Sequence, residues 1–275
     1  MSRTIDQTYL VQQQYKNADN LRARIAVHER FGTNQEDLAQ WVFDRVEVPE
    51  DACVLELGTG PGRFWVQNSG RIPADWQITL SDLSPGMLEE AQEATQGLDK
   101  AFDYKVVDAQ DVPFEDDTFD CVVANHMLYH VPDLDKGIAE IRRVLKPGGK
   151  LYAVTNGEKH MLELEAFIVE QFAKPLGVEF EVNTTLSFRL ETGSDRLSNH
   201  FAHVELEVLP NNALKVTEAE PFMAYIFSMN RWQTLLDEAG QDAGTLVRAA
   251  HEEVERRLGE GPIYVTKATG LFTAW

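Results

Sequence analysis

The sequence predicts an α/β fold built on a doubly wound, mostly parallel sheet, and three observations predict it. Short apolar strands alternate with helical stretches from Ala52 to Thr155. A glycine-rich loop directly follows the first of these strands. Aspartates close the second and third strands. Parallel neighbours need crossover connections, and the intervening helical stretches supply them.

The elements follow in order. From Tyr9 to about Arg45, Leu21, Ile25 and His28, then Leu38, Trp41 and Val42, recur at helical spacing. Asn34 is read as an N-cap, with Asp37 three residues on, and Pro49 ends the segment. Cys53 to Leu57 is the first strand and Trp76 to Leu80 the second. A helix from Ser84 to Thr95 has Ser84 as N-cap and Pro85 at its first position. Phe102 to Val107 and Phe119 to Ala124 are strands, and Leu134 to Leu145 is a helix stopped by Pro147-Gly148-Gly149. Lys150 to Thr155 is the fifth strand. The alternation then stops. Glu158 to Ala173 reads as one helix, Val204 to Val208 as a sixth strand, and Pro221 to Met229 and Trp232 to Leu258 as helices. Ile263 to Trp275 reads as a final strand or hairpin.

Composition excludes several classes. The chain has 275 residues, 43% hydrophobic and 25% charged, which fits one large domain, with or without an insertion. No run of ~18 apolar residues suits a membrane span, and Met1 to Gln14 lacks a secretory apolar stretch. The net charge of −20 disfavours free nucleic acid and anionic lipid as partners. Cys53 and Cys121 each sit in an apolar strand, as small core thiols. A reducing cytoplasm is the expected compartment. No metal is expected, since no CxxC pair is present.

The chemistry concentrates at the strand ends. Glu56-Leu57-Gly58-Thr59-Gly60-Pro61-Gly62 lets the backbone turn sharply and approach a ligand, with a helix N-terminus behind it. Asp82, roughly 20 residues on, is placed to accept from ribose hydroxyls. Asp108-Ala109, after the third strand, can meet an adenine edge. Together they outline an adenosine pocket at the carboxyl ends of the strands. The G-x-G-x-G spacing differs from the dinucleotide G-x-G-x-x-G. The acid at Glu56 suits an ammonium better than a pyrophosphate.

The chain resembles the class I S-adenosylmethionine-dependent methyltransferases, in the group that includes ubiquinone-biosynthesis enzymes. The resemblance rests on Val54 to Gly62, Leu80 to Leu88, Val107-Asp108-Ala109, Pro113 to Asp120 and Leu145 to Leu151, within residues 50–156. It implies a Rossmann-like, seven-stranded sheet with helical cap elements and S-adenosylmethionine as cofactor. Gly58, Thr59 and Gly60 would wrap its methionine part, and Glu56 would orient the ammonium. Asp82 would hold the ribose, with Leu83 against the adenine. Asp108 and Ala109 would take the adenine edge, and Asn125 would sit near the methionine. The implied organisation is an N-terminal segment (1–45) closing over the cofactor, a core (46–156), an inserted lid (157–200) and a C-terminal part (201–275).

The implied reaction is in-line methyl transfer to a small-molecule acceptor. Such a reaction asks chiefly for alignment and desolvation. His126 and His130 are the candidate catalytic residues, and a base is needed only where the nucleophile loses a proton early. The two are four apart, but no third ligand with metal spacing follows. Tyr15 and Arg24, from the N-terminal helices, are candidates for the methionine carboxylate, and His28 lies beside them in sequence. Phe188, Phe222, Met223, Tyr225 and Phe227 either line the acceptor or belong to a core, the second being preferred. Asn125-His126-Met127-Leu128 departs from the Asn/Asp-Pro-Pro-aromatic motif of nucleobase-amine methyltransferases. The alternatives are a non-catalytic S-adenosylmethionine binder and a protein or RNA methyltransferase that needs a partner.

Overall fold

Nine strands are present in the computed structural model, which describes residues 6–14, 19–34, 36–179 and 187–275. They are β1 (Cys53–Leu57), β2 (Gln77–Asp82), β3 (Phe102–Val106), β4 (Phe119–Asn125), β5 (Leu145–Asn156), β6 (Val204–Val208), β7 (Ala213–Val216), β8 (Ile263–Thr266) and β9 (Thr269–Ala274). Seven form one sheet in the order β3-β2-β1-β4-β5-β9-β6. The first five are parallel, with Leu55 opposite Thr79 on one side and Val122 on the other. β9 runs antiparallel between β5 and β6, with Phe272 facing Ala153 and Leu206. The register aligns the carboxyl ends of β1, β2 and β4 along one rim, the place where open α/β sheets bind ligands.

Period-two alternation builds a core on each face of the sheet. Leu55, Val122, Ala153 and Phe272 point to one face. There they meet α6 (Leu134–Val144) and α8 (Gly193–Leu197). Val54, Cys121, Val123 and Tyr152 point to the other face, against α3 (Leu38–Phe43) and α4 (Arg63–Gln67). Helix α5 (Pro85–Thr95) packs along β2 and β3. As expected, Ser84 caps it by accepting the Met87 N–H, and Pro85 opens it.

A third core belongs to a cap. It unites α2 (Asp19–Phe31), α7 (Leu162–Ile168), α9 (Ala219–Phe227), α10 (Asn230–Ala239), α11 (Ala243–Glu260) and the β7–β8 ribbon. Trp232, Phe222 and Met223 are buried at its centre. A short N-terminal helix, α1 (Gln7–Tyr9), runs into a π-turn at Leu10–Gln14. Among the described residues, no helix is long and apolar enough to cross a membrane.

Four local readings are corrected. Asp37, not Asn34, caps α3: its Oδ1 accepts from the N–H groups of Ala39 and Gln40 at 2.8 and 3.3 Å. Asn34 instead accepts from the Glu36 N–H and donates to the Pro210 carbonyl, because Gly32 is drawn into a bridge with Leu214. The helix expected over Glu158 to Ala173 starts later, at Leu162, and ends as a π-turn. Gly240, at φ +54°, splits the helix expected over Trp232 to Leu258 into α10 and α11. The final hairpin is two strands in different sheets, since β8 pairs with β7 and β9 enters the main sheet.

Candidate cofactor and acceptor site

A cavity of about 630 Å³ lies between the strand ends and the cap. Residues following each of the five parallel strands line it: Gly58 to Pro61, Leu83-Ser84, Val107 to Ala109, His126-Met127 and, at the end of β5, Asn156. Pieces of the cap and of the N-terminal segment close the opposite wall.

The loop after β1 reverses the chain through Gly58 (φ +70°), Gly60 (φ +55°) and Gly62 (φ +75°). A Cβ on Gly58 would stand 2.6 Å from the Cβ of Met127, so the loop and the β4 tip meet backbone-close. Thr59 fixes the turn, donating its N–H to the Ser81 carbonyl (2.8 Å) and its hydroxyl to Glu56 (2.6 Å). The helix behind the loop, α4, is a five-residue turn, so the helix terminus expected to meet an anion is slight.

Glu56 lies beneath the loop, 1% exposed. Its carboxylate accepts from Thr59 Oγ1 and from Trp65 Nε1, at 2.6 and 2.7 Å, and bonds the Asn125 side chain. Burial pushes it up to about 7, against these hydrogen bonds. Asn125 Oδ1 is buried with no partner. It is an acceptor beside a carboxylate, the arrangement an ammonium completes.

This gives a pH prediction. The folded protein holds the Glu56 proton more tightly than the unfolded chain, so stability falls as pH rises from 4.5 to about 7. A bound ammonium favours the ionised form, so cofactor affinity should rise over the same window, by up to about tenfold per pH unit. Calorimetric titrations at pH 6 and pH 8 should show this rise in the wild type and a flatter response in Glu56→Gln. The comparison cancels titration of the cofactor's own amine. Equal slopes in the two proteins would place the ammonium elsewhere.

Asp82 opens onto the cavity at the tip of β2. Its Oδ2 accepts the Gly60 N–H (2.9 Å) and its Oδ1 the Ser84 N–H (2.8 Å). Burial raises its pKa, opposed by the N–H groups of Ser84, Gly60 and Leu83. Three N–H groups leave the carboxylate a remaining lone-pair site, which suits a ribose hydroxyl. Leu83 and Ala109 also line the cavity. Asp108 accepts from the Gln110 N–H (2.9 Å) and from Gln7 Nε2 (3.0 Å). Despite burial, these bonds hold its pKa below the ordinary carboxylate range. Gln7 therefore ties α1 down over the third strand tip. Sequence reasoning missed it, because a glutamine in a polar segment carries no pattern.

The other end of the cavity is rich in imidazole. His126, His130, His28 and His160 all line it. His126 has φ +55°, an uncommon conformation for a non-glycine residue, and its N–H donates to the Val154 carbonyl (2.9 Å). This reversal and the 3₁₀ turn Leu128–His130 replace the helix on which His126 and His130 would have faced together. The His130 ring meets Tyr129 edge-on at 4.6 Å. Burial, reinforced by Lys267 and His130, lowers His126 to about 4, and burial lowers His28 to about 3. These imidazoles are neutral at ordinary pH. Among the described residues, no three His, Cys, Asp or Glu side chains are grouped to hold a metal.

Of the N-terminal candidates, Arg24 reaches the cavity wall, but its guanidinium is engaged by Ser228, with Nε to Oγ at 3.0 Å and Nη2 to the carbonyl at 2.5 Å. Tyr15 lies outside the described residues. Among the four candidate aromatics and Met223, Tyr225 faces the cavity, its ring edge-on to His28 at 5.6 Å. Phe188, Phe222 and Met223 are core, and Phe227 packs against the cap core. His160, Asn212 and Lys267 line the site without having been anticipated, since the cap that brings them in follows no motif.

The donor and acceptor set fits S-adenosylmethionine. Asn125 Oδ1 and Glu56 offer acceptors to an ammonium, Asp82 to ribose hydroxyls, and Asp108 to an adenine amino group.

Comparison with known proteins agrees. A family model described as a methyltransferase domain matches residues 55–153. A ubiquinone/menaquinone biosynthesis C-methyltransferase of Marinomonas sp. is 34% identical over 123 residues, 44% of this chain and 49% of that protein. The chain spans about half the length of the curated relatives it matches. The YcgJ protein of Bacillus subtilis superposes with a TM-score of 0.57 at 17% identity, covering 86% of this chain and 96% of that one. A Haemonchus contortus phosphoethanolamine N-methyltransferase in complex with S-adenosylmethionine gives 0.57 at 21% identity, over 100% of this chain and 60% of that one. At such identities these structures establish the shared fold. The strand order, the glycine loop and the family match agree, and the stretch 55–153 matches a methyltransferase domain.

Proposed function

We propose that the protein transfers a methyl group from S-adenosylmethionine to a small-molecule acceptor held between the strand tips and the cap, in the cytoplasm. The observation that carries the reading is Asn125 Oδ1, a buried acceptor without a partner beside Glu56 and opening into a cavity with a second, polar wall. The curated relatives are C-methyltransferases of quinone biosynthesis, which supports a small acceptor over nucleic acid or protein.

When bound, the cofactor supplies an activated methyl group. The chain's own residues hold and exclude. Glu56 and Asn125 fix the amino end, Asp82 and Asp108 the adenosine, and α1 is tied over the adenine by Gln7. The cap shields the centre from water, which strengthens every polar contact inside. Neutral His126 can orient or accept a proton from the acceptor, with its backbone locked to Val154.

Two experiments test this. Methyl-labelled S-adenosylmethionine incubated with fractionated cell extract should label a small-molecule fraction. Label confined to protein or RNA would contradict the acceptor class, and binding without transfer would favour a non-catalytic role. His126→Asn, which tolerates the positive φ, should reduce turnover by about 100-fold, the low end for a positioned acid–base group, and leave cofactor affinity intact. Unchanged turnover removes His126 from the chemistry.

A further inference from the structure

The acceptor wall carries an ammonium that no described residue pairs directly. Lys267 follows β8, is half-buried and lines the cavity. Among the described residues its ammonium makes no hydrogen bond and no ion pair. Burial pushes it down to about 8, and Asp37 is the carboxylate whose field opposes that shift. Asp37 is already held by Arg63 at 2.5 Å while it caps α3. Glu56, Asp82 and Asp108 lie at the cofactor end and already accept hydrogen bonds.

A second observation is independent of charge. Asn212 is 8% exposed, and neither its Oδ1 nor its Nδ2 has a partner. It lines the same cavity, and its carbonyl accepts the Lys267 N–H at 3.0 Å. His28 Nδ1 is also buried without a partner. Asn212 and Lys267 flank the paired ends of β7 and β8, where Ala213 faces Thr266. A half-buried, unpaired ammonium and a wholly unsatisfied buried amide in one pocket are costly unless a ligand completes them.

We propose that the acceptor presents an anionic oxygen, from a carboxylate or an ionised phenol, to the Lys267 ammonium, with the Asn212 amide donating to the same group. The proposal rests on the reading of this cavity as a methyl-transfer site. It makes the acceptor end a local cation in a chain of net charge −20, so neutral and cationic acceptors are disfavoured there. The neutral imidazoles of His28, His126 and His160 frame the group without adding charge.

The test uses the full chain saturated with S-adenosylhomocysteine. Benzoate is compared with benzamide, and 4-nitrophenol above its pKa with nitrobenzene, by ligand-observed NMR titration. At least one anion should bind tenfold or more tightly than its neutral counterpart. A preference for benzoate alone assigns a carboxylate, and one for 4-nitrophenol alone an ionised phenol. Lys267→Met should erase the preference, Lys267→Arg should keep it, and S-adenosylhomocysteine affinity should be unchanged in both. Equal binding of anion and neutral, or binding of neither anion, overturns the proposal. Loss of S-adenosylhomocysteine affinity in Lys267→Met also overturns it, by assigning the lysine to the cofactor's own carboxylate. If the wild type does not bind S-adenosylhomocysteine at all, the methyl-transfer reading fails as well, which separates the two failures.

Discussion

Gly58→Ala should cripple cofactor binding while leaving a folded but weakened protein. Two costs coincide at this position. The backbone sits at φ +70°, where any L side chain is strained by about 1–2 kcal/mol. The new Cβ would also stand 2.6 Å from the Met127 Cβ, which is not the movable end of a flexible chain. Relieving that overlap costs roughly 1–3 kcal/mol more. Relief requires the loop or the β4 tip to move, and the β4 tip carries Asn125 and His126. Gly148→Ala is the matched control: it has φ +80° with open space around it, so it should meet the conformational cost alone. Thermal melts and cofactor titrations of both variants check this. Equal cofactor affinity in Gly58→Ala and wild type would show that the close approach does not serve binding.

Asp82→Ala should lower cofactor affinity by roughly 5- to 150-fold, the equivalent of about 1–3 kcal/mol for unmatched hydrogen-bond partners. The carboxylate does two things. It receives the Gly60 and Ser84 N–H groups, and so locks the glycine loop to the β2 tip. It also offers its remaining lone pair to the ribose. Asp82→Asn keeps one carbonyl oxygen and should fall between the two. Calorimetry with S-adenosylmethionine and with free methionine separates the roles: a loss confined to the nucleoside ligand marks ribose contact, and an equal loss for both marks the loop. An affinity unchanged in Asp82→Ala would remove the residue from the site.

The part of the site legible in the sequence is the part whose constraints are local. Asp82-Leu83-Ser84-Pro85 encodes a strand end, an acid facing the rim and a capped helix start within four residues, and all three are observed. The glycines of the β1 loop announce positive φ in the same way. Leu55 and Val54 alternate into different cores as period two requires. The acceptor end was not legible, because its chemistry is assembled from afar. Asn212 and Lys267 are joined across the β7–β8 ribbon by an insertion of three helices, and His160 arrives ahead of α7. The errors have the same origin. Periodicity carried one helix through Gly240, where a positive φ breaks it, and Asn34 lost its capping role to a bridge from Gly32 to Leu214. His126 stood out by residue type, but its reversed backbone depends on the bond to Val154 in the next strand.

The most direct test of the central claim is a crystal structure of the protein with S-adenosylhomocysteine. It should show the ribose hydroxyls on Asp82, the adenine amino group at Asp108, and the ammonium on Asn125 Oδ1 above Glu56, with Lys267 and Asn212 left free on the far wall. A nucleoside bound outside this cavity, or an ammonium that leaves Asn125 Oδ1 without a partner, would contradict it.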